Sequence, residues 1–596
     1  MILCDTIYLE AVSMYLSIDR AKYGHDTLYV KKSFRKDNGR TSSKVVENLG
    51  RLEDLAKLHE DPIAWAKAYI DELNAKEREA TRSVMLAYLP TRRIEAGLQR
   101  VFNGGYLFLQ QVYNELGINR ICKQIAGKYM FDYDLDCILS RLVYGRMLCP
   151  SSKLSTMEYS RTLLEGPNFE LHQIYRALEV IAKENDFIQS ELYKNSLKLS
   201  SRNDRVLYYD CTNYYFEIEE EDDFRRYGVS KENRPNPLVE MGLFLDADGI
   251  PLAFSIMPGN TNEQSTLKPL ERKIIKDFSK AALVVCTDAG LSSAANRRFN
   301  DIRGRAFVTV QSVKKLKSYQ RQWALSSEGW RRCGDKSGAV FALNDILADE
   351  KLFERYKESV FFKERWVKEA FLLQRFVVTF SIKHMLYQRG LREMQFKRAS
   401  DLVKTPDRLN RYRQSDPKRF IVERAETKDG READKRIYTM NEERFLEEAR
   451  YDGFYAVATN LEDDAESILR ISGGRWQIEE AFRIMKSEFR ARPVYLSREE
   501  RITAHFTTCF LALTVYRYLE KRLGNSFSCE AVISQLRDIK FLSVKGEGYI
   551  PAYTRTPLTD ELHESFGFNT DCQIIPKTSM KRIINLTHCR SHSTNI

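Results

Sequence analysis

Between Gly473 and Pro493 the chain reads GGRWQIEEAFRIMKSEFRARP, and within it Arg475, Glu479, Arg483 and Lys486 recur at intervals of four, four and three. On an α-helix that spacing lines them along one face over about three turns. Trp476, Ile478, Ala481, Phe482 and Met485 form a broad second face suited to packing. Two further acids close apolar runs, Asp210 in RVLYYD and Asp288 in ALVVCTD. Carboxylates at the carboxyl ends of buried strands meet at one edge of an open sheet, where such sheets place their sites. Asp210, Asp288 and Glu479 would offer hard oxygen ligands to Mg²⁺, one ion at the attacking oxygen and one at the leaving oxygen, at roughly 3.5 to 4 Å separation. That is phosphodiester chemistry, with the neighbouring cations holding the nucleic-acid backbone. Each part also has a plainer reading: a turn or cap for either aspartate, and a surface helix laced by i,i+4 ion pairs for the cationic face.

The elements that must position these groups change along the chain. LYVKKSFRKDNGRTSSKVVENLG reads as two strands around Asn38-Gly39, a signal for a tight hairpin. Arg35, Lys36, Arg40 and Lys44 cluster towards its tip, where they suit a phosphate backbone or simply a solvated end. From Pro62 to Leu199 apolar residues recur at three and four, the period of helices. At Arg205 the period shortens. RVLYYDCTNYYFEI, VEMGLFLDADGIPLAFSIMP, AALVVCTDAG and RAFVTVQSV are strand candidates, with STLKPLERKIIKDFSK as a crossover helix, which together predict a mixed sheet with helical packing. Residues 320–448 break that rhythm and read as an insertion, with the basic helical run YQRGLREMQFKRASDLV carrying Arg389, Arg392, Lys397 and Arg398. The core pattern returns at GFYAVATN, and REERITAHFTTCFLALTVYRYLEKRL predicts a long helix with an apolar stripe.

With 596 residues, three or four domains are expected. Lys plus Arg number 94 against 83 Asp plus Glu, a net charge of +11 that favours polyanionic partners only modestly. No segment is apolar enough to span a bilayer and the start lacks a signal-peptide pattern, so a soluble intracellular protein is expected. The 11 scattered cysteines, without Cys-x-x-Cys, argue for reduced thiols. His588, Cys589 and His592 lack a second cluster to complete a zinc site. The absence of a Gly-x4-Gly-Lys-Ser/Thr loop argues against a nucleotide-dependent enzyme.

In combination these motifs resemble the DDE transposases of bacterial insertion sequences, in the group with a Tyr-Arg-Glu-Lys signature. Arg475, Glu479 and Lys486 fit the signature's spacing, Trp476 and the wording WQIEEAFRIMKS are similar to it, and Ser472 stands where the signature has tyrosine. Asp210 in YYDCTNYYFE and Asp288 in VVCTDAG look like the first two acids. PLAFSIMPGNTNEQSTLKPL, KVVENLGRLEDL and REERITAHFTTCFLALTVYRYLE extend the resemblance over most of the chain.

The resemblance implies an α/β fold: a ribonuclease H-like mixed sheet with helices, interrupted by a mostly β insertion, plus a largely helical N-terminal region. The implied organisation is a basic hairpin region at 1–60, a helical DNA-binding or dimerisation region at 61–199, core at 200–318, insertion at 319–450, core again at 451–522 and a tail region at 523–596. Implied too are catalysis and binding of two Mg²⁺ or Mn²⁺ ions by Asp210, Asp288 and Glu479, cleavage at terminal inverted repeats, and joining to target DNA by transesterification without a nucleotide cofactor. The partner would be double-stranded DNA, contacted through Ser472, Arg475, Arg483, Lys486 and the basic residues of hairpin and insertion. A homodimer would pair two ends, in a cytoplasmic, nucleoid-associated setting with no membrane. Trp476 is expected to pack, and if a flipped base must be housed, Trp323 or Trp330 are candidates by chemistry alone. A nuclease without strand transfer, or a catalytically decayed DNA-binding protein, are the competing functions.

Overall fold

The computed structural model describes residues 14–20, 26–35, 41–59, 61–81, 84, 89–280, 282–302, 304–369, 372–404, 417–426 and 435–589. Its contacts divide the chain into two compact units, Met1–Leu98 and Gln99–Ile596.

In the first unit β1 (Met14–Asp19), β2 (Thr27–Arg35) and β3 (Thr41–Arg51) form an antiparallel sheet in that order. The alternation of Leu28 and Val30 on β2 puts both side chains in the interior. Helix α1 (Pro62–Thr81) closes this small core with Ile63 and Ala66, and Asn74 ties it to β1 through both the N–H and the carbonyl of Met14, at 2.7 and 2.8 Å. β2 and β3 pair as a hairpin should, from Thr27 opposite Arg51 to Arg35 opposite Thr41. The Asn38-Gly39 turn, Lys36 and Arg40 lie outside the described residues, as does the side chain of Arg35.

After a short strand at Val101–Asn103, the first half of the second unit holds helices that include α2 (Tyr106–Glu115), α3 (Leu135–Leu148), α4 (Lys153–Arg161), α5 (Leu171–Lys183) and α6 (Asn185–Leu199). Then come β4 (Val206–Tyr215), β5 (Leu238–Asp246), β6 (Pro251–Pro258), α7 (Glu263–Asp277), β7 (Leu283–Thr287) and β8 (Arg305–Val310). The Asp246 to Ile250 turn folds β5 onto β6, with Asp246 Oδ1 accepting from the N–H groups of Asp248 and Ile250. The order β6-β5-β4-β7-β8, with β4 to β6 an antiparallel meander and β7 and β8 added in parallel, makes a ribonuclease H-like core.

The segment expected as a mostly β insertion is mixed in character. β9 (Arg331–Arg332), β10 (Val360–Glu369) and β11 (Leu372–Ser381) are followed by the 22-residue helix α8 (Ile382–Val403). With β12 (Phe454–Thr459) these strands extend the central sheet to nine, in the order β9-β10-β11-β12-β8-β7-β4-β5-β6. Backbone groups left open on the edge of β8 are thereby paired, so the insertion grows out of the core sheet.

α9 (Ala465–Gly473), α10 (Trp476–Ser487), α11 (Glu499–Arg522) and, near the end of the chain, α12 (Lys577–His588) complete the scaffold used below. α11 is more than a striped helix: every residue from Ala504 to Leu519 is buried, because α2, α3, α5 and β6 surround it. Its threonines survive there because Thr507, Thr508 and Thr514 each donate 2.9 Å hydrogen bonds to the carbonyl four residues back. Among the described residues no helix is long and apolar enough to cross a membrane.

Candidate active site

Register brings the two aspartates together. β4 and β7 run parallel, pairing Val206 with Val284 and Tyr208 with Cys286. The same offset carried two residues on sets Asp210 beside Asp288, where the parallel pairing has ended. Asp210 lies within β4, opposite Leu243 of β5, and so is not at a strand end. Asp288 follows β7 directly, and its Oδ1 accepts from Leu291 N–H at 3.0 Å. Burial pushes the Asp210 carboxyl up to about 6, with the charges of Asp288 and Glu263 adding to the rise and Lys231 opposing it. A Cβ at Gly290 would lie 3.3 Å from Asp288 Oδ2, so glycine there leaves the second carboxylate room.

Helix α10 crosses this edge, contacting β4 and β5, and its Ile478, Ala481, Phe482, Ile484 and Met485 are buried. Packing of that face decides where the polar residues go. Lys486 reaches inward and donates to Thr212 Oγ1 at 2.6 Å, with Glu232 at 3.2 Å. Burial pulls its ammonium down to about 8, with Lys231 in the same direction and Glu240 and Asp210 against it. Arg475, at the start of α10, lies near Cys286 and 3.9 Å from Glu479. Glu479 is 69% exposed. It does not join Asp210 and Asp288: among the described residues no three His, Cys, Asp or Glu side chains come close enough to hold a metal ion together. The aspartate pair by itself fits one hard cation through its oxygens, being two like charges side by side with one of them buried.

The segment 216–515, half of the chain, matches the family described as Transposase DDE domain, and residues 18–84 match the IS1634 family transposase, N-terminal domain. The chain belongs to the DDE transposases of insertion sequences. The first match holds Asp288, Glu479 and Lys486, and Asp210 lies just before it. No curated protein matches the chain. Solved structures similar to it include the cryo-EM structure of the piggyBac transposase synaptic complex with hairpin DNA, at 7% identity and a TM-score of 0.35, covering 85% of this chain and 90% of that one.

Around its aspartates the transposase holds a polar network that pattern reading misses. Lys231 pairs with Glu263 at 2.8 Å and donates to the Cys211 carbonyl. Burial lowers the Lys231 ammonium, but Glu263, Asp210 and Glu240 outweigh it and hold it above its usual value. Glu240, buried on β5, is held well above the usual carboxyl range by desolvation and by its hydrogen bond to Glu263. Arg492 pairs with Glu232, which also holds Lys486. A charged residue inside the apolar run LVEMGLFLD was the available signal for Glu240, whereas Lys231 and Glu232 in GVSKENRPNP look like any solvated loop.

Several expected contacts fall elsewhere. Ser472 is buried, and its Oγ lies 2.9 Å from the Tyr455 hydroxyl of β12, so a phenol from another element lies against it. Arg483 turns away from Lys486 to Glu480, at 2.7 and 2.8 Å. Arg392 is buried in a two-pronged pair with Asp452, whereas Arg389, Lys397 and Arg398 of the same helix are exposed. Lys44 is exposed opposite Lys32. Trp330 is fully buried and donates to Ser326 O at 2.9 Å, which removes it as a stacking surface, while Trp323 is partly buried. Trp476, expected to pack, is 60% exposed beside the site, because Ile478 and Ala481 already fill the face of α10 that meets the core.

Proposed function

We propose that this transposase binds the terminal inverted repeats of its element, hydrolyses the DNA there and joins the freed ends to target DNA. The observation that carries this reading is Asp210 and Asp288 set beside each other two residues past the paired stretch of β4 and β7, with Lys486 drawn in against Thr212. In the first step water attacks phosphorus and the 3′ oxygen of the element leaves. In the second, that 3′ hydroxyl attacks a phosphodiester of the target, whose own 3′ oxygen departs, so one bond forms for each one broken and no ATP is consumed. Asp210 and Asp288 would hold a divalent ion, Mg²⁺ or Mn²⁺, with Glu479 as third donor and room for a second ion. Such ions neutralise charge at the attacking and leaving oxygens. Lys486 and Arg475 flank the acids and would hold the phosphates on either side of the scissile bond.

We assign Glu479 its place in the set on bound DNA, since its exposed side chain lies 3.9 Å from Arg475, a cation that a phosphate backbone would engage. Pairing two ends makes a homodimer the expected assembly on DNA. The test is Mg²⁺-dependent cleavage and joining of a labelled duplex bearing the native element end. Wild type should give both products, and Glu479→Gln and Asp210→Asn should give neither while still binding the duplex. Cleavage without joining would favour a nuclease, and binding without product from any of the three a decayed transposase.

A further inference from the structure

A cavity of about 410 Å³ lies where the start of α4, the end of α3, α11 and the segment after α10 meet. Its wall carries Arg146, Lys153, Arg490, Arg492 and His505, together with Ser151 and Ser152 at the start of α4, and no carboxylate. Lys153 is only 5% exposed and Arg146 6%. The guanidinium of Arg146 is taken up by backbone carbonyls, of Phe489, Arg490 and Ser151, at 3.3 to 3.5 Å, and its Nε has no partner. Among the described residues no hydrogen bond or ion pair forms at the Lys153 ammonium, and Lys153 lines the cavity. Buried cations normally stand against an anion. Here the cavity wall supplies none among the described residues, and burial together with the neighbouring Arg146 pulls the Lys153 ammonium down to about 7.

We propose that this cavity is a phosphate-binding site. The argument rests on three features: the unpartnered ammonium of a buried lysine on the cavity wall, further cations arriving from separate elements, and the start of the nine-residue helix α4, where Ser152 caps the Ser155 N–H and those of Lys153 and Leu154 suit an anion. Two sources of phosphate fit the chemistry, a phosphodiester of bound DNA and free inorganic phosphate. The wall leads towards the aspartates, since Arg492 pairs with Glu232 and Glu232 with Lys486. A DNA strand leaving the active site would meet it. For that source the proposal rests on the transposase reading above; for the phosphate chemistry it does not.

The test uses the full chain, with Lys153→Met and, as a surface variant with no folding burden, Arg490→Gln. Millimolar inorganic phosphate should raise the Tm of wild type above that in chloride of equal ionic strength. The rise should disappear in Lys153→Met and shrink in Arg490→Gln. In chloride Lys153→Met should melt at or above wild type, because it loses a buried charge with no counter-ion, which a merely structural lysine would not do. With duplex DNA, a phosphodiester occupant predicts that the slope of log K against log salt becomes shallower by about 0.9 in Lys153→Met. An unchanged slope with lost phosphate protection assigns the cavity to free phosphate. Equal behaviour of wild type and both variants in the two assays overturns the site. Loss of strand joining in Glu479→Gln is read separately, so the two proposals fail independently.

Discussion

Gly474 shows how much of a site can hang on one missing methyl group. A Cβ there would lie 2.0 Å from the hydroxyl and 2.7 Å from the ring carbon of Tyr208, two residues before Asp210. The turn from α9 into α10 therefore passes against the strand that carries the first acid. Gly473, one residue earlier, has nothing within 4 Å of the same atom. The dipeptide looks uniform in sequence and is not. Gly474→Ala is expected to lose about 1–3 kcal/mol of stability through overpacking and to lower the cleavage rate by displacing Tyr208. Gly473→Ala, at the last position of a helix, should leave both intact or gain up to about 1 kcal/mol. Urea melts and single-turnover cleavage of the pair distinguish the two, and equal effects would refute the packing account.

Among elements, α8 separates structural from available charge. Arg392 and Asp452 form a buried pair, and Arg392→Ala should cost about 3–5 kcal/mol by stranding the aspartate. Arg389→Ala, Lys397→Ala and Arg398→Ala should each stay within about 0.5 kcal/mol of wild type in stability. If these three touch DNA, removing them together should weaken duplex binding uniformly across sequences and flatten its salt dependence. α12 carries a pH-sensitive clasp instead. The hydrogen bond to Glu165 raises the pKa of His588. Burial raises the Glu165 carboxyl, but His588, Gln110 and Arg141 outweigh that and hold it low. A raised histidine stabilises below its ordinary value of about 6.5 and loses that stabilisation as pH climbs through the folded one; a lowered carboxyl loses its own on acidification. Amides of α12 should therefore exchange faster, after correction for intrinsic rates, as pH rises from about 6 to 8, and His588→Gln should abolish the difference.

At the scale of the molecule, the boundary that matters falls at Leu98. Helices α2 to α6 share one apolar core with α10, α11 and the sheet, with Phe108, Tyr144 and Leu178 in it beside Phe482 and Tyr516. Removing residues 1–199 would uncover that core, at about 1.5–3 kcal/mol for each large side chain, against a total stability of roughly 5–15 kcal/mol. Gln99–Ile596 is expected to melt cooperatively, and a chain starting at residue 200 is not. Loss of element-end binding by the first of these would assign end recognition to the N-terminal unit. Undiminished binding would move it into the rest of the chain.

The periodicities of the chain determined most of its elements by themselves. Strands at RVLYYDCTNYY and LVVCT, the crossover helix and the signature helix follow from apolar spacing, because burying one face requires it. Asp210, Asp288 and Lys486 were legible as a constellation for the same reason: they sit where those patterns end or turn polar. What only tertiary structure decided is which polar groups share a dielectric environment. Nothing in sequence separates buried Arg392 from exposed Arg389, turns Arg483 to Glu480, or sets the Tyr455 hydroxyl against Ser472. Lys153 likewise reads as one more charged residue at a helix start, until α3, α11 and the strand of chain after α10 close around it. Pairing, desolvation and cavity walls come from segments hundreds of residues apart, and apolar spacing carries no information about where those segments meet.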